Sequence, residues 1–173
     1  MAKVYILLTR FPDRGSKVLE FLTGFHYCHA SIGLEEDLNH FYSFKRKGFM
    51  VEEITRYLRP NRTPFACQLY CLEVCGSTYE RVKVLLHRFA ARKHELYYSN
   101  LGLVMSLLGI PFRRRHHYFC SQFVAEILLY SRASRLHKST SLYLPGDLRK
   151  LSGLELIFHG NLLGMARQFQ LYA

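Results

Sequence analysis

His29-Ala30-Ser31-Ile32-Gly33-Leu34 alternates strictly, with Ala30, Ile32 and Leu34 on one side and His29, Ser31 and Gly33 on the other. A period of two makes a half-buried β-strand, because successive side chains on extended backbone point to opposite faces. The apolar side belongs against a core. The other side is small and polar, which suits a sheet surface that carries a site and is packed closely by another element. Working outward, Cys28 to Leu34 and Asn39 to Phe44 read as two strands joined by Glu35-Glu36-Asp37-Leu38, a hairpin. Phe49 to Ile54 adds a third run to the same sheet. Val4 to Leu8 reads as a short buried strand ahead of it, and Phe65 to Val74 as another strand after it.

Helical patterns interleave with these runs. Ser16 to Leu22 carries apolar residues at helical spacing, with Ser16 as N-cap and Gly24 just past the end. Ser77-Thr78-Tyr79-Glu80 has the form of a capping box and opens a helix whose Val82, Leu85, Leu86 and Phe89 make one stripe. Leu101 to Ile110 is apolar on all sides and reads as a buried helix or a lid over a cleft. Phe119 to Arg132 is a strong amphipathic helix, and Leu154 to His159 a closing strand. Arg59-Pro60-Asn61-Arg62-Thr63-Pro64 is a loop, since each proline also pushes its preceding residue out of the helical region. With no internal repeat, low-complexity tract or linker, residues 1–173 form a single α+β domain. Its antiparallel sheet packs against the helix carrying Cys120 and the helix opened by Ser77.

The chain has 173 residues, enough for one core and too few for two. Hydrophobic residues at 49% and charged residues at 21% exclude a disordered or fibrous chain. The net charge of +11 favours acidic partners such as nucleic acid, anionic lipid or anionic polymers, and is silent on fold. The cysteine count is odd, and Met1-Ala2-Lys3 leads into only a short apolar run, unlike a secretion signal. The expectation is reduced thiols and a cytoplasmic setting. The longest apolar stretch, Leu101 to Phe112, is well short of the roughly 18 residues a membrane span needs.

Three features carry candidate chemistry. Cys67, Cys71 and Cys75 are spaced by four. On a strand such residues sit roughly 13 Å apart, too far to share one zinc, so they read as small core residues. Arg113-Arg114-Arg115-His116-His117 could grip phosphates, with Tyr97, Tyr98 and Tyr118 nearby to stack on bases. No nucleic-acid module accompanies the run, and a solvated connector explains it as simply. Cys120 falls in the first turn of its helix, where unpaired backbone N–H groups and the helix dipole favour a thiolate. The same N–H groups would stabilise an oxyanion. Its face also holds Val124, Ile127 and Leu128, so packing alone could account for it. Joined to His29, however, it makes the minimal pair for cysteine nucleophilic catalysis, one group attacking while the other moves protons.

The histidine strand His29-Ala30-Ser31-Ile32, followed far downstream by Phe119-Cys120-Ser121-Gln122-Phe123-Val124, resembles the circularly permuted branch of the NlpC/P60 papain-like superfamily. The resemblance extends from about Val4 to His159 and takes in Leu144-Pro145-Gly146-Asp147-Leu148. Members of that branch include permuted amidases and peptidases and the lecithin retinol acyltransferase group. It implies a permuted papain-like fold, Cys120 as nucleophile and His29 as base and acid. A third, polar residue orienting the histidine would come from the next strand. A hairpin turning at Glu36-Asp37 pairs Gly33 with His40 and puts His40, Tyr42 and Phe44 on the face of His29; a one-residue bulge presents Ser43 instead. His40 is the choice, with Tyr42 and Ser43 as alternatives, and Tyr5 or Tyr118 is the further candidate for oxyanion support. The implied activity is a thiol hydrolase or acyltransferase that acts on a peptide, amide or acyl-ester substrate without metal or organic cofactor. The rival is a non-catalytic basic module of the same fold that binds RNA or anionic lipid through Arg113, Arg114 and Arg115.

Overall fold

The computed structural model describes residues 1–12, 14–35, 37–58 and 63–171. In chain order the first elements are β1 (Ala2–Thr9), α1 (Arg14–Thr23), β2 (His29–Leu34), β3 (Asp37–Lys45), β4 (Gly48–Glu53), β5 (Ala66–Val74) and α2 (Gly76–Ala91). There follow β6 (Tyr97–Tyr98), α3 (Asn100–Leu107), β7 (His117–Tyr118), α4 (Cys120–Tyr130), α5 (Pro145–Leu148), β8 (Leu154–Asn161) and α6 (Leu162–Gln168).

β1 is buried from Val4 to Thr9 because both of its faces are covered. It pairs antiparallel with β2 on one side and β5 on the other, at the middle of a six-stranded antiparallel sheet ordered β4-β3-β2-β1-β5-β8. One face of the sheet carries Ile6, Leu8, Ala30, Ile32 and Phe44 against α2, α4 and α5. The stripe expected on α2 packs there, with Val82 and Leu86 fully buried and Phe89 partly so. Aromatic rings lock this layer, with Phe89 and Phe123 at 4.9 Å and Phe44 and Phe123 at 5.2 Å between centroids. The opposite face carries Tyr5, Leu7, Phe41, Leu69 and Cys67 against α6 and the short turn Ile54–Tyr57. β6 and β7 form a separate two-residue parallel pairing that ties the segment before α3 to the segment before α4. No helix among the described residues is long and apolar enough to cross a membrane.

Several local expectations are corrected. α1 starts at Arg14, so Ser16 lies inside the helix and is not its N-cap; Gly24 does follow the helix, leaving it at φ +64°. α2 starts at Gly76 behind Cys75, which puts Ser77 in the first turn rather than at the cap. α3 is not a buried helix, because Leu101, Val104 and Leu108 are exposed along it. α6 was not anticipated. The loop expected over Arg59, Pro60, Asn61 and Arg62 lies outside the described residues.

The β2–β3 pairing decides what faces the site. Ile32 opposes Tyr42 and Gly33 opposes Phe41, but Leu34 opposes Asp37, so residues 38–40 bulge out of the ladder. Relative to a pairing of Gly33 with His40, the register is displaced by one, which exchanges the two faces of β3. Phe41 and Ser43 therefore share the face of His29, and Tyr42 and Phe44 turn to the other. Gly33 permits the close approach, since a Cβ there would sit 2.8 Å from the Phe41 ring.

Candidate active site

Phe119 holds extended backbone (φ −103°, ψ 165°) immediately before α4, so the chain turns sharply into the helix at Cys120. The thiol is 4% exposed. His29 opens β2 and is also buried. The two side chains line one cleft of about 710 Å³, near enough that each shifts the ionisation of the other. Apolar side chains dominate its wall, among them Phe11, Leu19, Phe44, Met50 and Leu103, and Lys45, Arg46 and Lys47 lie at its edge.

The residue that holds the histidine is Glu52 of β4. His29 Nε2 donates to Glu52 Oε1 at 2.6 Å, which leaves Nδ1 for the thiol. Glu52 is itself 4% exposed, and it is well satisfied: Ser43 Oγ also donates to Oε1, while Tyr57 Oη (2.9 Å) and Lys45 Nζ (2.5 Å) meet Oε2. Lys45 Nζ also lies 4.2 Å from the Phe11 ring centroid, and Phe11 packs on His29 at 5.3 Å. Cys120, His29, Glu52 and Lys45 thus form a line in which anionic and cationic groups alternate. A buried carboxylate survives only when paired and hydrogen-bonded in this way.

The electrostatics follow from that order. Burial works against the imidazolium, but the Glu52 charge and the bonds to the thiolate and Glu52 outweigh it and raise His29 from 6.5 to about 9. Burial likewise opposes the Cys120 thiolate; the bond and charge of His29, with the Ala30 and Ser121 N–H groups, pull its pKa below 9 nonetheless. Glu52 is held far below the ordinary carboxylate range, as the His29 charge and bond and the Lys45 ammonium outweigh its burial. Both shifts favour the thiolate–imidazolium form of the pair over the neutral one.

The other candidates fall elsewhere. His40 is corrected: its side chain is 41% exposed, bonds Asp37 and sits in the bulge, because the displaced register moves it off the site. Tyr42 packs on Phe49 at the opposite face of the sheet. Ser43 reaches the site only as a donor to Glu52. Tyr5 opposes Gly33, four positions along β1 from the Thr9–His29 pair and roughly 13 Å away. Tyr118 packs between Phe44 and Phe89 and lines a different cleft, together with Arg113, Arg114 and Arg115. Cys67 and Cys71 lie in the core, whereas Cys75 is exposed beyond the end of β5 and is not the buried residue expected.

Sequence reasoning missed Glu52 and Asn100, and it assigned Tyr98 to the arginine run, whereas Tyr98 lines the thiol cleft with Asn100. A signal for Glu52 did exist. Glu52 follows Met50 on one side of the run and Glu53 follows Phe49 and Val51 on the other, so the pattern marks a carboxylate on an apolar strand without choosing between the two. No protein-family model and no curated protein matches the chain.

Proposed function

We propose that this chain is a thiol hydrolase or acyltransferase of the permuted papain-like (NlpC/P60) type, cleaving an amide or ester through an acyl-enzyme on Cys120. The observation that carries the reading is the buried Cys120–His29–Glu52 line opening on a cleft large enough for a small acyl or peptidyl group. The chain order, a histidine strand ahead of a cysteine helix, supports it as well.

In this reading the thiolate attacks the substrate carbonyl, and the oxyanion forms against N–H groups at the start of α4. The imidazolium of His29 then passes its proton to the departing amine or alkoxide, leaving a thioester. Neutral His29 next takes a proton from water or from an acceptor nucleophile as that group attacks the thioester, and the thiolate returns. Glu52 keeps Nδ1 aimed at the sulfur and stabilises the positive ring, the part an Asn or Asp plays in related triads. The apolar wall suits an acyl chain or an apolar side chain, and exposed Arg46 and Lys47 at the edge suit a substrate with an acidic group beside the scissile bond.

The test is trapping of the acyl-enzyme. A panel of p-nitrophenyl acyl esters and peptide thioesters should acylate Cys120, seen as an adduct on its peptide by mass spectrometry and as a nitrophenolate burst. Cys120→Ala should show neither. An intact, folded protein that forms no adduct on Cys120, and whose Cys120 alkylates no faster than Cys67, would overturn the proposal.

A further inference from the structure

A second cleft, of about 460 Å³, shares the start of α4 with the first: Tyr118 and Gln122 line it, while Cys120 between them lines the other. One wall is the α2 face carrying Leu85, Arg88, Phe89 and Arg92, with the arginines one turn apart. The facing wall is Arg113, Arg114, Arg115 and His116. We propose that this cleft binds a compact polyphosphate, either free or as the polyphosphate group of a small molecule.

Three observations support the assignment. The first is charge. Arg113 donates to the buried Glu126 at 3.0 Å, and Arg92 to Glu95 at 2.7 Å. Arg88, Arg114 and Arg115 make no ion pair among the described residues; Glu126 lines the cleft beside Arg113 and the Glu95 charge reaches Arg115 and His116, so the arginines of the cleft outnumber the carboxylates around them. Guanidinium is the side chain best suited to phosphate oxygens, and like charges in a cleft focus an attractive field on an anion. The second is rigidity. His116 holds a left-handed backbone at φ 61°, a conformation that costs free energy for a residue with a Cβ and persists only where its surroundings impose it. They do so here: Tyr97 N–H donates to His116 O (2.8 Å), Ser99 N–H to Tyr118 O (3.0 Å) and His117 N–H to Arg114 O (3.1 Å). The run is the exposed connector expected between the two helices, but its backbone is pinned at Arg114 and His116, which limits where the three guanidinium groups can reach. The third is shape, since a cleft of this volume is the size of an ordinary small-molecule site, whereas duplex nucleic acid needs a long exposed surface.

Calorimetry with inorganic tripolyphosphate on the full chain tests the proposal. Saturable binding is expected, at least about tenfold tighter than orthophosphate because several charge-assisted contacts form at once, and weakened by added salt. Arg88→Ala should cost about tenfold and Arg114→Glu with Arg115→Glu about a hundredfold or more. Arg135→Glu with Lys150→Glu changes the net charge equally at exposed positions outside the cleft and should stay within about twofold. Cys120→Ala should bind as the parent does, so the result is independent of the thiol chemistry. Equal losses in the two double variants would overturn the site in favour of bulk charge. So would an absence of saturable binding to the folded parent protein, or binding confined to vesicles of phosphatidylcholine and phosphatidylserine.

Discussion

His29 stands between a thiol and a carboxylate, and each partner sets one limb of its pH behaviour. Alkylation of Cys120 by iodoacetamide, measured in a Cys75→Ser background, should rise at a pH well below the ordinary thiol range. The imidazolium partner should persist until about pH 9 and then be lost. Glu52→Gln removes the largest influence raising His29, so the alkaline limb should move below 9 and the acid limb should move up; a profile unchanged by that substitution would mean Glu52 does not act through His29. The same shifts bear on stability. His29 has a folded pKa above its unfolded value of 6.5, so its contribution is complete below 6.5 and is lost as the pH rises through about 9. Glu52 is the reverse case: its contribution is present above its unfolded value of 4.5 and is lost as the pH falls through the depressed folded value. Near neutrality both are present. Glu52→Ala at pH 7 strands a buried imidazolium beside the Lys45 ammonium and should cost about 3–5 kcal/mol in urea unfolding.

At the scale of elements, the β2–β3 register is the feature on which the site depends, and it rests on one small residue. Gly33→Ala places a methyl group 2.8 Å from the buried Phe41 ring, which should cost about 1–3 kcal/mol in urea unfolding and, by displacing the strand that carries Ser43, slow Cys120 alkylation. Gly76→Ala, where nothing lies within 4 Å, is the matched control and should leave both unchanged or slightly improve stability. The same element separates what was legible from what was not. The alternation in His29 to Leu34 and the stripe of Val82, Leu86 and Phe89 are local patterns, and the strands and helices they imply are found. The face of β3 is not local. It hangs on residues 38–40 leaving the ladder, and from the sequence that decides only between His40 and Ser43, while Glu52 arrives from a strand further on. Of Glu52 and Glu53, which look alike, only the register says which turns inward. Capping failed for a different reason: Ser16 and Ser77 are residues that helix starts favour, but the helices begin at Arg14 and Gly76, ahead of them.

For the whole molecule, two openings carry clusters of basic residues, Arg46 and Lys47 beside the thiol cleft and the arginines of the second cleft, on a chain of net charge +11. Both openings meet at the first turn of α4, where Tyr118, Cys120 and Gln122 serve them in turn. The outermost thiol lies apart from either. Cys75 precedes α2 with its Sγ 3.3 Å from the hydroxyls of Ser77 and Thr78, and these contacts, with the Thr78 N–H, lower its pKa from 9 to about 6. Its thiolate is favoured below the ordinary thiol range and it stands in solvent, so two molecules meeting there with an oxidant can become covalently joined. Diamide should convert the protein to a species of twice the mass on a non-reducing gel, reversed by dithiothreitol and absent in Cys75→Ser, while Cys67, closed in the core with its thiol pushed up to about 12, takes no part. In an oxidising solution the oligomeric state of this protein is then a property of storage, and a dimer band on its gel marks the age of the sample.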